Sequence, residues 1–480
     1  MRVITAPGAS PHPTVPLSVL AGPALAPVRA AIDAGGLHDA DLILDLCGSV
    51  RTASAPFGVW SFRLDASDDA ALPFAAEIGA RRRTVAAALV RRVEGRTEAL
   101  KSGRFPITRW YPGTLRLALS ELARWPATLA SALAGGVPLS PEPFQVEPVI
   151  RAPTPLARAR FLTSLLQRLG EALRVALLEV SEWNVGLAEA EPRRLLSGEP
   201  LAVRWLPPPQ PLTFVADPFL AEHRGVRALF VESFDYREER GAIDAFVLDD
   251  ADRVVQRVRA IDLPTHLSYP YPLELDGSLY LVPESCAANE VALYRCERFP
   301  DRWTREAALF PAFDAVDTTL FPHDGRWWAF CTRYSRGSTL GLNAFHADSP
   351  RGPWTPHALN PVVVDVSSAR PGGQPFVVDG VLYRPGQDCS QSYGGGLVIA
   401  RVDELTPTSY RETIVQRRDA HGFGRWSGGI HTVSFGAGRI AVDGKHVYRD
   451  VRKLPLVLKK GLRIARRSHG PAPEKEATFA

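Results

Sequence analysis

The sequence predicts an α/β N-terminal domain followed by an all-β five-bladed β-propeller. Residues 1–200 combine short strand-like runs with long helical patterns. From about residue 212, a layout of four short strands returns at intervals of roughly 50 residues, which is typical of propeller blades. Glycine and proline number 38 and 42 among 480 residues without a three-residue period, so many tight turns are expected and a collagen-like chain is excluded.

The N-terminal domain is predicted from two strand-like runs and three helical patterns. The runs are 41–46 (DLILDL) and 58–64 (GVWSFRL). Apolar residues recur at helical spacing over 84–94, 115–134 and 156–180. Residues 189–211 are polar and then rich in proline, so they are expected to form a linker between the two halves.

The propeller is predicted from hairpins built on tight turns. Asp-Gly pairs at Asp276, Asp324 and Asp379 each stand between apolar runs, which is the strongest short hairpin signal in a sequence. Similar units over 214–233 and 433–440 bring the number of innermost strands to five. Because a lone blade cannot bury both faces, the units are expected to close into a ring. The last unit looks short, so a strand from before residue 212 is expected to complete it. The alternative is a β-sandwich with long hairpins.

These patterns divide the chain into four parts. They are an α/β domain over 1–150, a helical segment and linker over 151–204, the propeller over 205–450, and a basic amphipathic segment with a disordered tail over 451–480.

Charge and cysteine usage exclude several classes of function. Net charge is +4, but residues 451–480 carry eight Lys or Arg and two Glu, so the rest of the chain is nearly neutral and no nucleic-acid surface is expected. The five cysteines are scattered and form no CxxC pair, which argues against a disulfide framework and a thiolate zinc site. We therefore expect a cytoplasmic protein without a bound metal or other cofactor.

One segment of the tail suggests a peripheral membrane contact. Residues 452–467 contain seven basic residues and no acidic one. On a helix the charges from 456 onward share one side, which predicts contact with an anionic membrane surface. A helix packed on the propeller with a solvated basic face is the alternative.

Propeller geometry nominates candidate site residues before any chemistry is considered. Each innermost strand begins at one mouth of the central channel, and the second strand returns to that mouth. The strand starts supply Asp217, His266, Tyr269, Asp317, Arg370, Gln374 and His431, and the second-strand ends supply Glu232, Glu284, Arg384 and Asp388. Carboxylates gathered there lose hydration and repel one another, which creates acid/base pairs. The alternatives are strand-start capping, ion pairs with the nearby arginines and, for the histidines, a satisfied hydrogen-bonding role.

Short motifs at these strand ends carry a family resemblance. They are FVADPF (214–219), FVES (230–233), HLSYPY (266–271), LVPES (281–285), DTTLF (317–321), GPW (352–354), RPGQDC (384–389) and HT (431–432). They resemble the five-bladed propeller of arabinanase- and xylosidase-type glycoside hydrolases. More closely, they are similar to the N-terminal domain of plant glucosamine inositolphosphorylceramide transferases and its bacterial relatives. The hydrolase resemblance implies a general base at Asp217 and a pKa-tuning carboxylate at Asp317.

The chain departs from the hydrolase pattern at the start of the fourth blade. The resemblance implies a glutamate acid there, and this sequence has Arg370. Arginine does not give up its proton at usable pH, so either Glu284 or Glu232 supplies the acid or ordinary glycosides are not hydrolysed. Arg370 with Arg384 could instead hold a phosphate or carboxylate of the substrate.

The N-terminal half has a weaker resemblance. The runs at 41–46 and 58–64 and the helix predicted after Arg82 resemble the start of formyltransferase-like folds. The Asn–His–Asp set of formyl transfer is not visible at matching places, so a degenerate, non-catalytic companion domain is expected. No glycine-rich phosphate-binding loop follows these strands, so nucleotide binding has no local support.

Two functional hypotheses follow. In the first, the chain is a carbohydrate-active enzyme acting on a sugar or glycoconjugate by hydrolysis or transfer, with Asp217, Asp317 and Glu284 catalytic and the other mouth residues holding substrate. In the second, it is a non-catalytic module that binds a carbohydrate or a lipid headgroup. The resemblance also leaves open a calcium ion in the channel, held with the help of His431.

Overall fold

An N-terminal five-stranded sheet with helices packed on it comes first in the chain. The computed structural model describes residues 3–6, 41–46, 55–64, 73–142, 144, 154–457 and 459. The strands are β1 Val3–Ala6, β2 Leu42–Asp45, β3 Val59–Leu64, β4 Thr84–Val93 and β5 Arg96–Pro106. The helices are α1 Ala75–Gly79, α2 Tyr111–Leu122, α3 Trp125–Ala134 and α4 Thr154–Leu178. The predicted mixed α/β class of this domain is therefore confirmed.

The strands of this sheet follow one another in chain order. β1, β2 and β3 are parallel, and β3, β4 and β5 are antiparallel. Trp60, Phe74, Phe105 and Trp125 are buried in its core. The resemblance of this domain to formyltransferase-like folds stays a prediction.

One predicted helix is wrong. Residues 84–94 form strand β4, which is bonded to a neighbour on each side. Its alanines are compatible with a helix and also with a strand that is buried on both faces. The turn at Glu94 and Gly95, with φ of 49° and 76°, joins the strand to β5 as a hairpin. The other two helical predictions are confirmed, the first as the pair α2 and α3 and the second as α4.

Five antiparallel sheets form the blades of the propeller, and each is ordered from its innermost strand outward. Blade 1 contains β8 Thr213–His223, β9 Val226–Asp235, β10 Arg240–Leu248 and β11 Val254–Ile261. Blade 2 contains β12 Ser268–Leu275, β13 Ser278–Glu284, β14 Glu290–Arg298 and β15 Arg302–Pro311. Blade 3 contains β16 Ala315–His323, β17 Arg326–Arg333, β18 Gly341–Ala347, β19 Thr355–Pro356 and β20 Val363–Val364. Blade 4 contains β21 Phe376–Val378, β22 Val381–Asp388, β23 Gly396–Leu405 and β24 Tyr410–Arg418.

The last blade joins the two ends of the propeller sequence. Its strands are β25 Val433–Gly436, β26 Arg439–Arg449, β6 Glu179–Glu189 and β7 Arg204–Trp205. β26 pairs with β6 over the whole length of both strands, so residues from before 212 complete the blade, as expected. They also begin ahead of the predicted boundary at 205, inside the part predicted as helix and linker. The propeller thus starts at residue 179.

The five innermost hairpins use the same turn. Both central residues have positive φ at Arg224-Gly225, Asp276-Gly277, Asp324-Gly325, Asp379-Gly380 and Ala437-Gly438. This backbone matches the right-handed twist of the flanking strands, which explains the Asp-Gly signal in the sequence. The predicted five-bladed propeller is confirmed.

The N-terminal domain is attached to blade 3 and the loop that leaves it. Leu340 and Val364 of the propeller are part of the N-terminal hydrophobic core. Lys101 Nζ donates to the Pro361 carbonyl at 2.8 Å. Of the predicted basic segment 452–467, residues 458 and 460–467 lie outside the described residues. Within the part of the chain that the structure describes, no helix has the length and apolarity needed to cross a membrane.

Candidate active site

Three innermost strands each carry, within their first five residues, one residue in the left-handed conformation. Asp217, Tyr269 and Asp317 have φ of 50°, 44° and 52°. Each sits at a register shift between the first and second strands of its blade. Such bulges re-aim side chains and are concentrated near functional sites, because a non-glycine residue with positive φ costs free energy. The backbone thus directs these residues out of the strand pattern at the channel mouth.

Four carboxylates lie together in the buried mouth. Asp217, Glu232, Glu284 and Asp317 are only 1% to 7% exposed. Burial penalises the charged forms of Asp217, Glu232 and Glu284, and neighbouring negative charges add to this effect. The half-exposed His266 and the exposed Tyr393 lie at the edge of this group. The sequence therefore identified a real cluster.

Asp217 links the first blade to its two neighbours. Its Oδ1 accepts a hydrogen bond from Thr432 Oγ1 at 2.6 Å, and its Oδ2 accepts from the Tyr269 backbone N–H at 3.1 Å. Burial raises the pKa of Asp217 to about 6, against the lowering effect of His431. At neutral pH most Asp217 side chains are therefore ionised, and a small fall in pH protonates them.

His431 stands between two carboxylates of blades 5 and 1. Its Nδ1 lies 2.6 Å from Asp443 Oδ2, and its Nε2 lies 3.5 Å from Asp217 Oδ1. Burial lowers the pKa of His431, but the two carboxylates outweigh that effect and raise it. The two carboxylates therefore favour the charged form of the ring, and Asp443 Oδ2 lies close to Nδ1 without hydrogen-bond geometry.

These three residues do not fit a calcium site. Their ligand atoms lie within 4.8 Å of one another. However, the group supplies one imidazole and two carboxylates, whereas Ca²⁺ prefers six to eight oxygen ligands. His431 supplies the positive charge that these carboxylates require.

Asp317 is held by the arginine that replaces the expected acid. Arg370 donates to it from Nε at 2.6 Å and from Nη2 at 3.2 Å, and Gln387 Nε2 donates at 2.8 Å. The guanidinium carbon of Arg370 also lies 5.1 Å from the centre of the Tyr393 ring. Arg370 is therefore committed to holding Asp317 in place through a two-pronged contact between a guanidinium and a carboxylate.

Glu284 has one carboxylate oxygen without a partner. Its Oε1 accepts a hydrogen bond from Cys286 Sγ at 3.2 Å, whereas its buried Oε2 has no hydrogen-bond partner. Arg370 Nη2 is 3.8 Å from Oε2, beyond hydrogen-bond distance. Burial and the charge of Asp317 raise the pKa of Glu284 to about 8. At neutral pH Glu284 therefore holds a proton, for which the neighbouring Asp317 carboxylate is an acceptor.

Glu232 and His266 form a second pair at the edge of the group. Burial raises the pKa of Glu232 well above its ordinary value, and the neighbouring carboxylates add to this shift. His266 Nδ1 accepts from the Gly241 backbone N–H at 2.9 Å, so the ring proton is on Nε2, which faces Glu232 Oε1 at 3.6 Å. The pair offers a donor and an acceptor to a polar ligand.

Not every predicted residue joins the cluster in the expected way. The Arg384 guanidinium binds both oxygens of Glu412 at 2.6 Å and the Ser368 carbonyl at 2.9 Å, within blade 4 and the loop before it. The Asp388 carboxylate instead pairs with Arg417 at 2.9 Å. The predicted joint grip of Arg370 and Arg384 on a substrate anion is therefore wrong, because each guanidinium already has its own carboxylate.

Two further predicted residues contribute mainly through the backbone. Gln374 is half-buried, and its N–H donates to Val433 O at 3.1 Å across the seam between blades 4 and 5. The buried Tyr269 hydroxyl is paired with Thr319 Oγ1 at 2.9 Å, and its N–H holds Asp217. Tyr269 therefore positions Asp217.

The structural role of Arg384 gives a first test. Arg384→Lys keeps the charge but cannot span both oxygens of Glu412, so we expect a loss of about 1.5–3 kcal/mol in the free energy of unfolding. Urea denaturation measures this loss. Ligand affinity of the folded variant should not change, and a weakened affinity with unaltered stability would contradict this role.

Several contributors to the site were not among the predicted residues. Asp443, Trp183 and Tyr393 surround His431, whose ring centre lies 4.1 Å from that of Trp183 and 5.5 Å from that of Tyr393. Gln387 binds Asp317 from a second-strand end. Asp443 lies in the middle of β26 and not at its end, so the second-strand rule does not nominate it, and Trp183 lies on a strand far away in the sequence.

Comparison with known proteins matches most of the propeller to one family. Residues 208–432 match the family model described as glucosamine inositolphosphorylceramide transferase 1, N-terminal. The glucosamine inositolphosphorylceramide transferase 1 of Oryza sativa subsp. japonica is 36% identical over 211 residues, which are 43% of this chain and 28% of that protein. Residues 208–432 are homologous to this N-terminal domain. The Arabidopsis thaliana protein of the same name is 33% identical over 211 residues. The chain thus spans less than a third of these relatives.

Solved glycoside hydrolases show weaker likeness. A thermostable family-43 glycoside hydrolase gives a TM-score of 0.33 at 13% identity, covering 42% of this chain and 75% of that one. An exo-beta-1,3-galactanase from Clostridium thermocellum gives 0.36 at 12% identity, covering 44% and 52%. The strand order of the five antiparallel sheets identifies the propeller independently of these structures.

Proposed function

We propose that this chain is a carbohydrate-active enzyme that transfers or hydrolyses a glycosyl group of a glycoconjugate at the propeller mouth. Glu284 acts as the general acid and Asp217 as the general base. The observation that carries the proposal is the buried carboxyl group of Glu284, whose pKa of about 8 keeps it protonated, in the same cluster as Asp217, whose pKa is about 6. Two carboxyl groups whose environments give them different protonation states divide the acid and base roles between them.

The proposed reaction follows from these protonation states. Glu284 gives its proton to the oxygen of the leaving group as the glycosidic bond breaks. Asp217 accepts the proton of the attacking hydroxyl, which belongs to water or to an acceptor. The negative charge of Asp317, which Arg370 and Gln387 hold in place by hydrogen bonds, keeps the proton on Glu284. Glu232 and His266 hold hydroxyl groups of the sugar.

The homologous domain suggests which substrates to test first. The relatives are named glucosamine inositolphosphorylceramide transferases. A glucosamine-containing sugar and an inositol-phosphate lipid are therefore the first donor and acceptor classes, and the free sugar with water as acceptor is the hydrolysis control.

The acid assignment predicts a bell-shaped pH dependence. Turnover should fall below about pH 6, because protonated Asp217 cannot accept a proton, and above about pH 8, because Glu284 has lost the proton it donates. Glu284→Gln should lower turnover about 10²-fold on an alkyl glycoside and abolish the alkaline limb. It should spare a 4-nitrophenyl glycoside, whose leaving group needs little protonation.

Glu232→Gln is the matched variant within the same cluster. If it shows the dependence on the leaving group and Glu284→Gln does not, the acid is Glu232 and the assignment to Glu284 is wrong. Binding of glycans without turnover on any substrate would instead favour the binding module. The contacts of Asp217 with the two neighbouring blades fit this alternative, because a residue that only holds the blades together would make the same contacts.

A further inference from the structure

A cavity of about 560 Å³ lies between the N-terminal domain and blade 4. Its N-terminal wall includes Glu77, Arg81, Arg83 and Arg104, and its propeller wall includes Asp388 and Arg417. This volume is within the range of small-molecule sites, roughly 300–1,000 Å³. The cavity is distinct from the carboxylate cluster, whose residues are not part of the described lining.

The positive charge of the cavity is only partly neutralised. Arg417 pairs with Asp388 at 2.9 Å, and Arg104 lies 3.8 Å from Asp365. Among the described residues, no carboxylate oxygen lies within 4.0 Å of the guanidinium groups of Arg81 or Arg83. Free guanidinium groups in a concave site match the oxygens of a phosphate group, which they can bind in pairs.

Glu77 supplies a second and independent indication of a ligand. It is 3% exposed and lines the cavity, and neither of its carboxylate oxygens has a hydrogen-bond partner. A buried carboxylate without donors costs free energy, so a donor is missing from the site. Hydroxyl or amino groups of a ligand would supply it.

We propose that this cavity binds a small phosphorylated ligand that carries hydroxyl or amino groups, such as a sugar or polyol phosphate. The phosphate contacts Arg81 and Arg83, and the hydroxyl or amino groups donate to Glu77. The proposal does not depend on catalysis at the propeller mouth. The propeller wall of the cavity belongs to the segment that continues to Tyr393, which packs on Arg370 and His431. A ligand there would order the edge of the mouth.

Calorimetry on the full chain tests the anion part of this site. Glucose 6-phosphate should bind, inorganic phosphate should bind more weakly, and glucose should not bind at the same concentrations. The double variant Arg81→Asn/Arg83→Ser should weaken glucose 6-phosphate binding about 10–100-fold, since it removes hydrogen bonds between charged groups. Asparagine is chosen because residue 81 has φ of 58° and asparagine tolerates that conformation.

The matched control removes two charges elsewhere. Arg253 and Arg298 are 74% and 68% exposed on the outer edges of blades 1 and 2. Arg253→Ser/Arg298→Ser should leave the affinity unchanged. An equal loss in this control would show a general charge effect and overturn the proposal, as would failure of all phosphate compounds to bind. Retained binding in Asp217→Asn separates this site from the proposed catalytic one.

Glu77→Gln tests the hydroxyl part of the site. A neutral amide costs less to bury than a carboxyl group without a partner, so the melting temperature of the ligand-free protein should rise. The same change should reduce the preference for glucose 6-phosphate over inorganic phosphate while the phosphate affinity stays constant. A lower melting temperature together with an unchanged preference would show that Glu77 has a structural role and would contradict this half of the proposal.

Discussion

Asp217→Asn is expected to lower turnover by about 10²–10⁴-fold while the propeller stays folded. Asparagine has the same shape, and its oxygen can still accept from the Tyr269 N–H. Its amide can donate toward Thr432 Oγ1, so both cross-blade contacts survive in the variant. What is lost is the basic oxygen, because an amide does not accept a proton near neutral pH. The effect on turnover therefore isolates the chemical role from the structural one.

Three measurements together decide this prediction. The value of kcat/KM should fall, substrate affinity should change little, and the melting temperature should remain close to that of the unmodified protein. Asp324→Asn is the matched control, since Asp324 is an exposed turn residue with φ of 47°, which asparagine also adopts. Parallel losses of turnover and stability in Asp217→Asn would mean that the residue only holds the blades together.

Arg370→Met should cost about 3–5 kcal/mol of unfolding free energy at pH 8. The guanidinium is the partner of Asp317, and its charge also lowers the pKa values of Glu232 and Glu284. Without it, a buried group of four carboxylates has lost a nearby positive charge. The deficit is large because a single buried charge without its partner cannot be hydrated.

The pH dependence of this deficit has a definite sign. Carboxyl groups whose folded pKa is raised above the unfolded value destabilise the fold as pH rises through the range between the two values, about 4.5 to 8 for Glu284. Loss of Arg370 raises these pKa values further. The difference from the unmodified protein should therefore shrink as pH falls from 8 to 5 and the carboxyl groups take up protons.

Urea denaturation at pH 5 and pH 8 measures this difference. Arg370→Lys, which keeps the charge without the two-pronged contact, should lie between the two proteins. Two outcomes would contradict the role of Arg370 as the charge that stabilises the carboxylate cluster. One is a loss of unfolding free energy below about 1 kcal/mol at pH 8, which is typical of an exposed ion pair. The other is a loss that grows as pH falls.

Local signals were sufficient to predict the blades. The turns at Asp276, Asp324 and Asp379 require positive φ, and the Asp-Gly pair in the sequence predicts this conformation. The alternation of apolar residues then fixed which strand follows each turn. By contrast, the alanine-rich strand β4 fits both periods, and the turn at Glu94-Gly95 was a signal that could have decided between them.

The side of a strand on which a residue lies was harder to predict. Gln387 and Arg384 are three residues apart on β22, so they point to opposite faces. Gln387 binds Asp317 in the channel, whereas Arg384 pairs with Glu412. Gln387 stands next to the end of this second strand and Arg384 in its middle, and the position in the chain gave no indication of which face was inward.

The sequence by itself determined the number of blades, the mouth where their strands begin, and the carboxylates gathered there. These features are local, because turn chemistry and side-chain alternation act between residues close in the chain. Only the tertiary structure decided which polar and charged groups pair. Asp217 is hydrogen-bonded to Thr432, which is 215 positions away in the sequence, and Asp317 is paired with Arg370, which is 53 positions away. Ring closure brings these groups together, and the burial that follows sets the protonation of Asp217 and Glu284.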